Sequence, residues 1–209
     1  MFTGIIEALG VIETVESEGS NRHFSIRTTF REEDPIRVDQ SISHDGVCLT
    51  VTQILQHAGN EYLYQVTAVE ETLSKTQLGS WAAGRKVNVE RCMRMGGRLD
   101  GHLVQGHVDT VGEIREIELR EGSWLIRIGF PADFAELLVD RGSICVNGVS
   151  LTVVEAAQDS FTVTIIPFTW EHTDFHQLQV GDAVNLEFDI LGKYLLRRQH
   201  LAATSPLAS

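Results

Sequence analysis

The sequence is poor in several things, and each shortage excludes a class. Of its 209 residues only 17 are Lys or Arg against 29 Asp or Glu, a formal charge of −12 with histidine neutral. A duplex is a dense row of phosphates, and a net anion without a basic stripe is repelled by it, which argues against nucleic-acid binding. No apolar run approaches the roughly 20 residues that span a bilayer. The opening Met-Phe-Thr-Gly-Ile-Ile-Glu has no basic residue, and Glu7 interrupts its apolar run, so no signal peptide is expected. Cys48, Cys92 and Cys145 make an odd number with no CxxC pair. Reduced thiols in a cytoplasmic protein are expected rather than a disulfide framework. There is no GxGxxG after a strand, no P-loop, no HExxH and no GxSxG elbow. His102 and His107 do not share one helical face, and no third ligand completes a zinc site around them. No metal and no cofactor is therefore expected. The remainder, 43% hydrophobic and 22% charged, is the composition of a globular chain rather than a disordered one.

The chain repeats itself. Gly46-Val47-Cys48-Leu49-Thr50-Val51 returns as Gly148-Val149-Ser150-Leu151-Thr152-Val153, an offset of 102. The same offset carries Gly4-Ile5-Ile6-Glu7 onto Gly106-His107-Val108-Asp109. A third block returns at offset 97, matching Val66, Thr67, Thr72 and Thr76 to Val163, Thr164, Thr169 and Thr173, and Val87, Asn88 and Glu90 to Val184, Asn185 and Glu187. Three blocks in the same order indicate a tandem duplication, with copies at 1–97 and 98–189 and an unmatched segment at 190–209. A period near 100 is too long for a solenoid, so each copy should carry its own core.

Each copy reads as all-β. The runs 62–69, 123–130 and 161–166 are rich in the aromatic and β-branched residues that suit a pleated, half-buried surface. Gly-Asp, Gly-Asn and Asp-Gly signals separate such runs, and several short strands per copy suggest a small barrel or sandwich. One short helix is expected over Pro131–Val139, with proline in its first turn and Gly142 beyond its end. In 190–201, Leu191, Tyr194, Leu195 and Leu201 fall near one helical face, which either packs on its own domain or pairs with other subunits. The tail Ala202–Ser209 is expected to fray.

The repeated glycines are either turn positions or part of a pocket. The hydroxyls are harder to ascribe to turns. Thr50, Thr67 and Thr72, with their partners Thr152, Thr164 and Thr169, would bring polar anchors to one barrel mouth. Ile5, Leu49, Ala68 and Val69 would supply apolar walls, the usual make-up of a ligand pocket. Two copies imply two similar pockets. They differ at reactive positions: Cys48 against Ser150, Ile5 against His107, Glu70 against Pro167. Like pockets with unlike groups suit a reaction between two similar molecules that play different roles. A lone Cys48 read without this context would be a small buried hydrophobe.

The motifs Met-Phe-Thr-Gly-Ile-Ile-Glu (1–7), Ser-His-Asp-Gly-Val-Cys-Leu-Thr-Val (43–51), Glu-Glu-Thr-Leu-Ser-Lys-Thr-Gln-Leu-Gly (70–79), Gly-Gly-Arg-Leu-Asp-Gly-His-Leu-Val-Gln-Gly-His-Val-Asp (96–109), Val-Asn-Gly-Val-Ser-Leu-Thr-Val (146–153) and Val-Asn-Leu-Glu-Phe-Asp (184–189) stand in order. Together they resemble the riboflavin synthase α-chain family over essentially the whole length. Its close relatives, the lumazine proteins, use the same repeat only to bind a ligand. The resemblance implies an all-β fold of two six-stranded antiparallel Greek-key barrels, followed by a C-terminal helix that holds a homotrimer. It implies a dismutation of two 6,7-dimethyl-8-ribityllumazine molecules to riboflavin and 5-amino-6-ribitylamino-2,4-pyrimidinedione, with no cofactor. The active site would lie between the first pocket of one subunit and the second pocket of another, and association with lumazine synthase is open. The alternative is a non-catalytic lumazine- or flavin-binding protein.

The resemblance also carries residue roles. Gly4, Ile5 and Ile6, with Cys48, Leu49 and Thr50, would form the first pocket. Thr67, Ala68, Val69, Glu70, Glu71 and Thr72 would complete it. Gly106, His107 and Val108, with Ser150, Leu151 and Thr152, would form the second, completed by Ile165, Ile166, Pro167, Phe168 and Thr169. Arg141 falls at a cationic contact. Ser41, Cys48, His107, Ser150 and Asp189 match residues considered in the mechanism. His107 and Ser150 are given proton-transfer or nucleophile-activating roles, with His102 as the nearby alternative to His107. Cys48 would be a polarisable neighbour of the ring, and Asp189 would orient a hydroxyl or imidazole of the next chain. The second copy departs from the first at 168–176, where Trp170 replaces the Leu73 type and the Leu-Gly ending is lost; an altered turn and wall are expected there.

Overall fold

The structure, a computed structural model, describes residues 1–31 and 34–203. β1 (Ala8–Glu18), β2 (Asn21–Thr29), β3 (Ser41–His44), β4 (Val47–Ala58), β5 (Glu61–Ala68) and β6 (Lys86–Arg91) close one antiparallel barrel in the order β1-β2-β5-β4-β3-β6. β7 (Thr110–Arg120), β8 (Ser123–Gly129), β9 (Ser143–Val146), β10 (Val149–Ala156), β11 (Ser160–Ile165) and β12 (Ala183–Phe188) close a second with the same order. In each, the third to fifth strands form a meander and the fifth pairs with the second, a Greek-key connection. Period-two patterning drives this. On β5, Tyr62, Tyr64, Val66 and Ala68 are buried and alternate with more exposed neighbours. Ile12, Phe24, Ile26, Val51, Val87 and Val89 fill the first barrel around them, and Ile114, Ile126, Phe161, Val163, Phe175 and Phe188 fill the second. Register shifts recur at matched sites, Ile12/Thr14 with Ile114/Glu116 and Val51/Gln53 with Val153/Glu155. Such bulges sharpen the twist that closes a small barrel.

The hairpins β3–β4 and β9–β10 turn on Asp45-Gly46 and Asn147-Gly148, with φ of 44° and 81°, and 45° and 81°. Paired positive φ values suit the tight hairpin turns that Asp-Gly and Asn-Gly favour. The two turns meet back to back: a Cβ on Gly46 would lie 2.8 Å from the Gly148 nitrogen, and a Cβ on Gly148 2.8 Å from the Gly46 nitrogen. Only glycine permits that approach.

A reciprocal polar network surrounds the turns. Asp45 Oδ1 accepts from Asn88 N (2.7 Å) and Asn147 Oδ1 from Asn185 N (2.8 Å). Asn88 Nδ2 donates to the Asn147 carbonyl, and Asn185 Nδ2 to the Asp45 carbonyl. Asn88 Oδ1 accepts from Asp174 N, and Asn185 Oδ1 from Gln77 N. The first pair ties each turn to its own barrel, and the other two join one barrel to the other. Asp174 also accepts from Asn88 Nδ2 and Asn147 Nδ2, both at 2.7 Å. Arg85 is the adjacent cation, 3.5 Å from Asp45.

The helical segments differ from expectation in part. Residues Ala132–Leu137 form a 3-10 helix, not the α-helix expected over Pro131–Val139; Pro131 is extended and no side chain caps the turn. α1 (Glu70–Lys75) and α2 (Pro167–His172) were not legible as helices, being single turns that end at an extended threonine. The turn expected to change in the second copy is kept, Gln77–Ser80 matching Asp174–Gln177. The wall does change: Trp170 stacks on Trp124 with centroids 4.2 Å apart, whereas Leu73 packs against the first core. α3 (Ile190–Ala203) has no buried residue, and Leu191, Tyr194 and Leu195 face outward. Residues 204–209 of the tail expected to fray lie outside the described residues. No described helix is long and apolar enough to cross a membrane.

Burial raises the Asp174 carboxyl to about 6, partly opposed by its bonds from Asn88 and Asn147. Between 3.8, its ordinary value, and about 6 the folded chain keeps a proton that the unfolded chain has released, so this group's contribution makes stability fall as pH rises through that window. Asp174→Asn, which cannot ionise, is expected to be less stable overall yet to show a flatter fall between pH 4 and 6, read as denaturant midpoints. An unchanged slope would remove Asp174 from the pH dependence.

Candidate active site

The site is built by two short leader segments that precede β1 and β7. Phe2 and Val104 pair across the molecule, with N···O distances of 2.7 and 3.1 Å. Glu90, on β6, accepts from Thr3 N, Thr3 Oγ1 and Gly4 N at 2.7–2.9 Å. Glu187, on β12, accepts from Gln105 N, Gly106 N and His107 N at 2.6–2.9 Å. Burial pushes both carboxyls up, against the pull of these donors. A buried carboxylate is tolerable because its oxygens are occupied by charge-assisted bonds.

So held, each leader crosses to the other barrel. The Gly4 carbonyl accepts from Ser150 N (2.8 Å) on β10, and the Gly106 carbonyl from Cys48 N (2.8 Å) on β4. A Cβ on Gly4 would lie 2.6 Å from Ser150 Cβ, and one on Gly106 2.6 Å from Cys48 Cβ. Val108 packs on the first core and Ile6 on the second. This corrects the expected grouping. Gly106, His107 and Val108 stand with Cys48, Val69, Glu71 and Thr72 around a cavity of about 250 Å³ on the first barrel. Gly4 stands with Ser150, while Ile5, Ile6 and Phe168 border a second opening of about 660 Å³. The mouths differ too: Glu71 pairs with Lys75 in the first (2.9 Å), and Phe168 stacks on His172 in the second (4.1 Å).

The other sequence candidates are dispersed. Ala68 and Ile165 are core residues, Leu49 is buried, and Leu151 packs against the second core. Thr50 and Thr152 are exposed and pair with Ser41 and Ser143. Thr67 bonds His23 Nδ1 (2.9 Å). Thr169 and Thr72 accept through their carbonyls from Thr173 and Thr76. Glu70 and Pro167 open α1 and α2, beside exposed Val69 and Ile166. Arg141 is exposed at φ 64°, its N–H bonded to the Val153 carbonyl. Asp189 caps α3 by accepting from Leu191 N (2.9 Å).

The reactive groups fall into two unlike sets. Cys48 is half-buried; burial pushes its thiol up, with a bond from the Ser41 side chain opposing, so it stays protonated near neutral pH. Ser150 Oγ lies 2.7 Å from His102 Nδ1. His102 is 8% exposed; burial lowers its pKa while the Asp189 charge acts the other way, which leaves a neutral imidazole. His107 is exposed and held through its backbone, so the histidine bonded to Ser150 is the one the sequence reading placed second. Glu90 and Glu187 were visible only as a matched pair in Val-Asn-Val-Glu and Val-Asn-Leu-Glu; their role needs the crossing of the leaders, which linear order conceals.

Two like barrels, each opening a pocket lined partly by the other's leader, define a duplicated small-molecule-binding protein with non-identical reactive groups. The sequence family of the lumazine binding domain matches residues 3–92 and 105–189. The riboflavin synthase of Actinobacillus pleuropneumoniae is 40% identical over 93% of this chain and 88% of its own length. That of Bacillus subtilis is 38% identical over 97% and 91%, and that of Mycobacterium tuberculosis 40% over 94% and 97%. The chain belongs to the riboflavin synthase family of lumazine-binding proteins. Among solved structures, LumP complexed with riboflavin superposes with a TM-score of 0.78 at 23% identity, covering 90% of this chain and 99% of that one. LumP with 6,7-dimethyl-8-(1'-D-ribityl) lumazine gives 0.75 at 22%, so the double-barrel fold is shared.

Glu90→Gln places an amide N–H₂ opposite one of three donors. It is expected to cost about 1–3 kcal/mol of stability and to speed amide hydrogen exchange in residues 1–6 selectively. Glu187→Gln should do the same in 104–108. Exchange that rises equally in both segments for either variant would show that the two anchors do not act separately.

Proposed function

We propose that this chain joins two molecules of 6,7-dimethyl-8-ribityllumazine in a dismutation, moving a four-carbon unit from one to the other. The products are riboflavin and 5-amino-6-ribitylamino-2,4-pyrimidinedione; the enzyme is a transferase of riboflavin biosynthesis. The observation that carries this reading is that the two matched leader crossings bear unlike groups: Cys48 beside the cavity that His107 lines at one, and Ser150 bonded to His102 at the other. A protein that only stored or displayed a ligand would have no use for that difference.

The chemistry asks for two stacked rings in fixed register, loss of a methyl proton from one and nucleophilic addition to the other. Orientation of two bound reactants contributes up to roughly 7–11 kcal/mol. A placed acid or base adds typically about 10²–10⁴-fold. In this reading Gly4, Ile5, Ile6, Gly106, His107 and Val108 hold the rings by backbone and apolar contact, with the threonines and Arg141 at the ribityl chains. Cys48 is the neutral, polarisable neighbour of one ring, and Ser41, His107, Ser150 and Asp189 manage protons and the nucleophile.

The proposed units are 1–97, 98–189 and 190–209, the last holding a homotrimer. The outward Leu191, Tyr194 and Leu195 of α3 support the trimer. Ile5, Val69, Ile166 and Phe168, apolar and 47–67% exposed at the pocket mouths, support a reaction centre closed by a barrel of a neighbouring subunit. Proposed partners are the lumazine, riboflavin, two further copies and a docked lumazine synthase. The proposed compartment is the cytoplasm, in keeping with three cysteines that form no disulfide.

Mixing the protein with 6,7-dimethyl-8-ribityllumazine, without metal or cofactor, is expected to yield one riboflavin for every two lumazines consumed, followed by absorbance and fluorescence. Tight binding without conversion would make the chain a ligand-binding relative. Sedimentation should give three times the 23.2 kDa chain mass, and Leu195→Glu should lower both that mass and turnover.

A further inference from the structure

We infer that His23 is a specificity-determining positioning residue: it fixes the Thr67 hydroxyl as a hydrogen-bond acceptor, so that the outer face of the first barrel reads a hydroxyl on the side chain of the ligand. The inference rests on the riboflavin synthase reading, in which the threonines meet the ribityl chains, and adds to it a histidine that the second barrel does not repeat.

Strand register places the residues. Ser41 pairs with Thr50, and Thr67 with His23. β4 and β5 pair Val51 with Val66, which sets Thr50 beside Thr67. All four alternate along their strands with buried side chains, Ile42, Leu49, Val66 and Phe24 among them, and so point outward. They form a polar row across β3, β4, β5 and β2, which are neighbours in the barrel. Thr50 and Thr67 stand two residues along from Cys48 and Val69, which line the cavity of about 250 Å³. Two residues of strand cover only about 7 Å, so the ribityl chain of a ring seated in that cavity reaches the row. The second barrel sets out the same row with one change. Ser143 pairs with Thr152, the Val153–Val163 pair sets Thr152 beside Thr164, and Thr164 pairs with Leu125. Leucine stands where the first barrel has histidine.

The histidine gives the row a polarity. His23 Nε2 lies 3.2 Å from Glu18 Oε2, and Nδ1 lies 2.9 Å from Thr67 Oγ1. A carboxylate only accepts, so Nε2 carries the ring proton, and Nδ1 of the neutral imidazole accepts from the Thr67 hydroxyl. With its proton so engaged, Thr67 Oγ1 turns only lone pairs toward a ligand. It accepts from a ligand O–H and disfavours a ligand acceptor. Thr164 faces a leucine, keeps a rotating hydroxyl that donates or accepts, and makes no such choice. His23 itself acts through Thr67.

The test titrates the full-length wild type, His23→Leu and His23→Asn with riboflavin and with lumiflavin, which has the same ring and a methyl group in place of the ribityl chain. Quenching of flavin fluorescence reads the affinities. Leucine copies the second barrel and removes the acceptor, whereas asparagine sets its Oδ1 where Nδ1 stood. In His23→Leu one class of sites is expected to bind riboflavin about tenfold more weakly, in the range of one lost hydrogen bond, while lumiflavin affinity stays within about twofold. His23→Asn should keep the wild-type preference for riboflavin. An unchanged riboflavin-to-lumiflavin ratio in His23→Leu would overturn the inference. Equal weakening of both ligands would overturn it too, by making His23 part of a wall rather than a support for Thr67, and so would an asparagine variant that behaves like the leucine one. Should His23→Leu fail to fold, Thr67→Val decides: a retained ratio overturns the inference and a lost one supports it. Lumazine conversion by the same wild-type preparation separates the two levels. Conversion with an unchanged ratio sinks only the role of His23, whereas a wild type that neither converts lumazine nor prefers riboflavin sinks the functional reading beneath it.

Discussion

The contact of two hairpin turns at the centre of the molecule sets everything else. Asp45-Gly46 and Asn147-Gly148 meet backbone to backbone, and no side chain fits between them. Around them Asn88 and Asn185 each bond across to the opposite turn and to the opposite 3-10 segment. Buried polar groups gain little net stability when satisfied and cost much when orphaned. A network of this kind therefore penalises every relative placement of the barrels except one. Hydrophobic burial makes each barrel; the asparagines decide how the two face each other.

That placement makes the exchange of leaders workable. With the barrels fixed about an approximate two-fold axis, Phe2 reaches Val104 and each leader runs past its own barrel to the neighbour. Glu90 and Glu187 then hold their segments by backbone donors, which do not depend on side-chain identity. The leaders were thus free to diverge, Ile5 against His107, while their backbones stayed in register. Duplication supplied two pockets, and shared backbone anchoring allowed them to acquire different chemistry.

Much of this was legible in order along the chain. The paired Gly-Val-Cys-Leu-Thr-Val and Gly-Val-Ser-Leu-Thr-Val blocks announced matched hairpins, and the β-branched runs announced their strands. What the repeat could not reveal was which barrel a segment serves. Gly4 precedes β1 yet meets Ser150, because its leader lies outside the closed strand ladder and is free to cross to the other barrel. His102 lies outside the matched blocks, so comparison of the copies passed over it, although its Nδ1 lies 2.7 Å from Ser150 Oγ. Single-turn helices α1 and α2 had no periodicity to detect, and the segment expected as a helix over 131–139 is a six-residue 3-10 turn, too short for its helix type to be read from pattern.

The tryptophans are divided unevenly between the barrels. Trp81 sits alone in the first core, edge-on to Phe24 at 5.2 Å, while Trp124 and Trp170 lie parallel in the second at 4.2 Å with an interplanar angle of 3°. Two indoles so close and so nearly parallel share their excited states, whereas a solitary indole does not. The chain therefore carries a separate optical signature for each half: a coupled circular-dichroism band belonging to the second barrel and an uncoupled emission belonging to the first. Loosening of one half ahead of the other would be visible without any attached label.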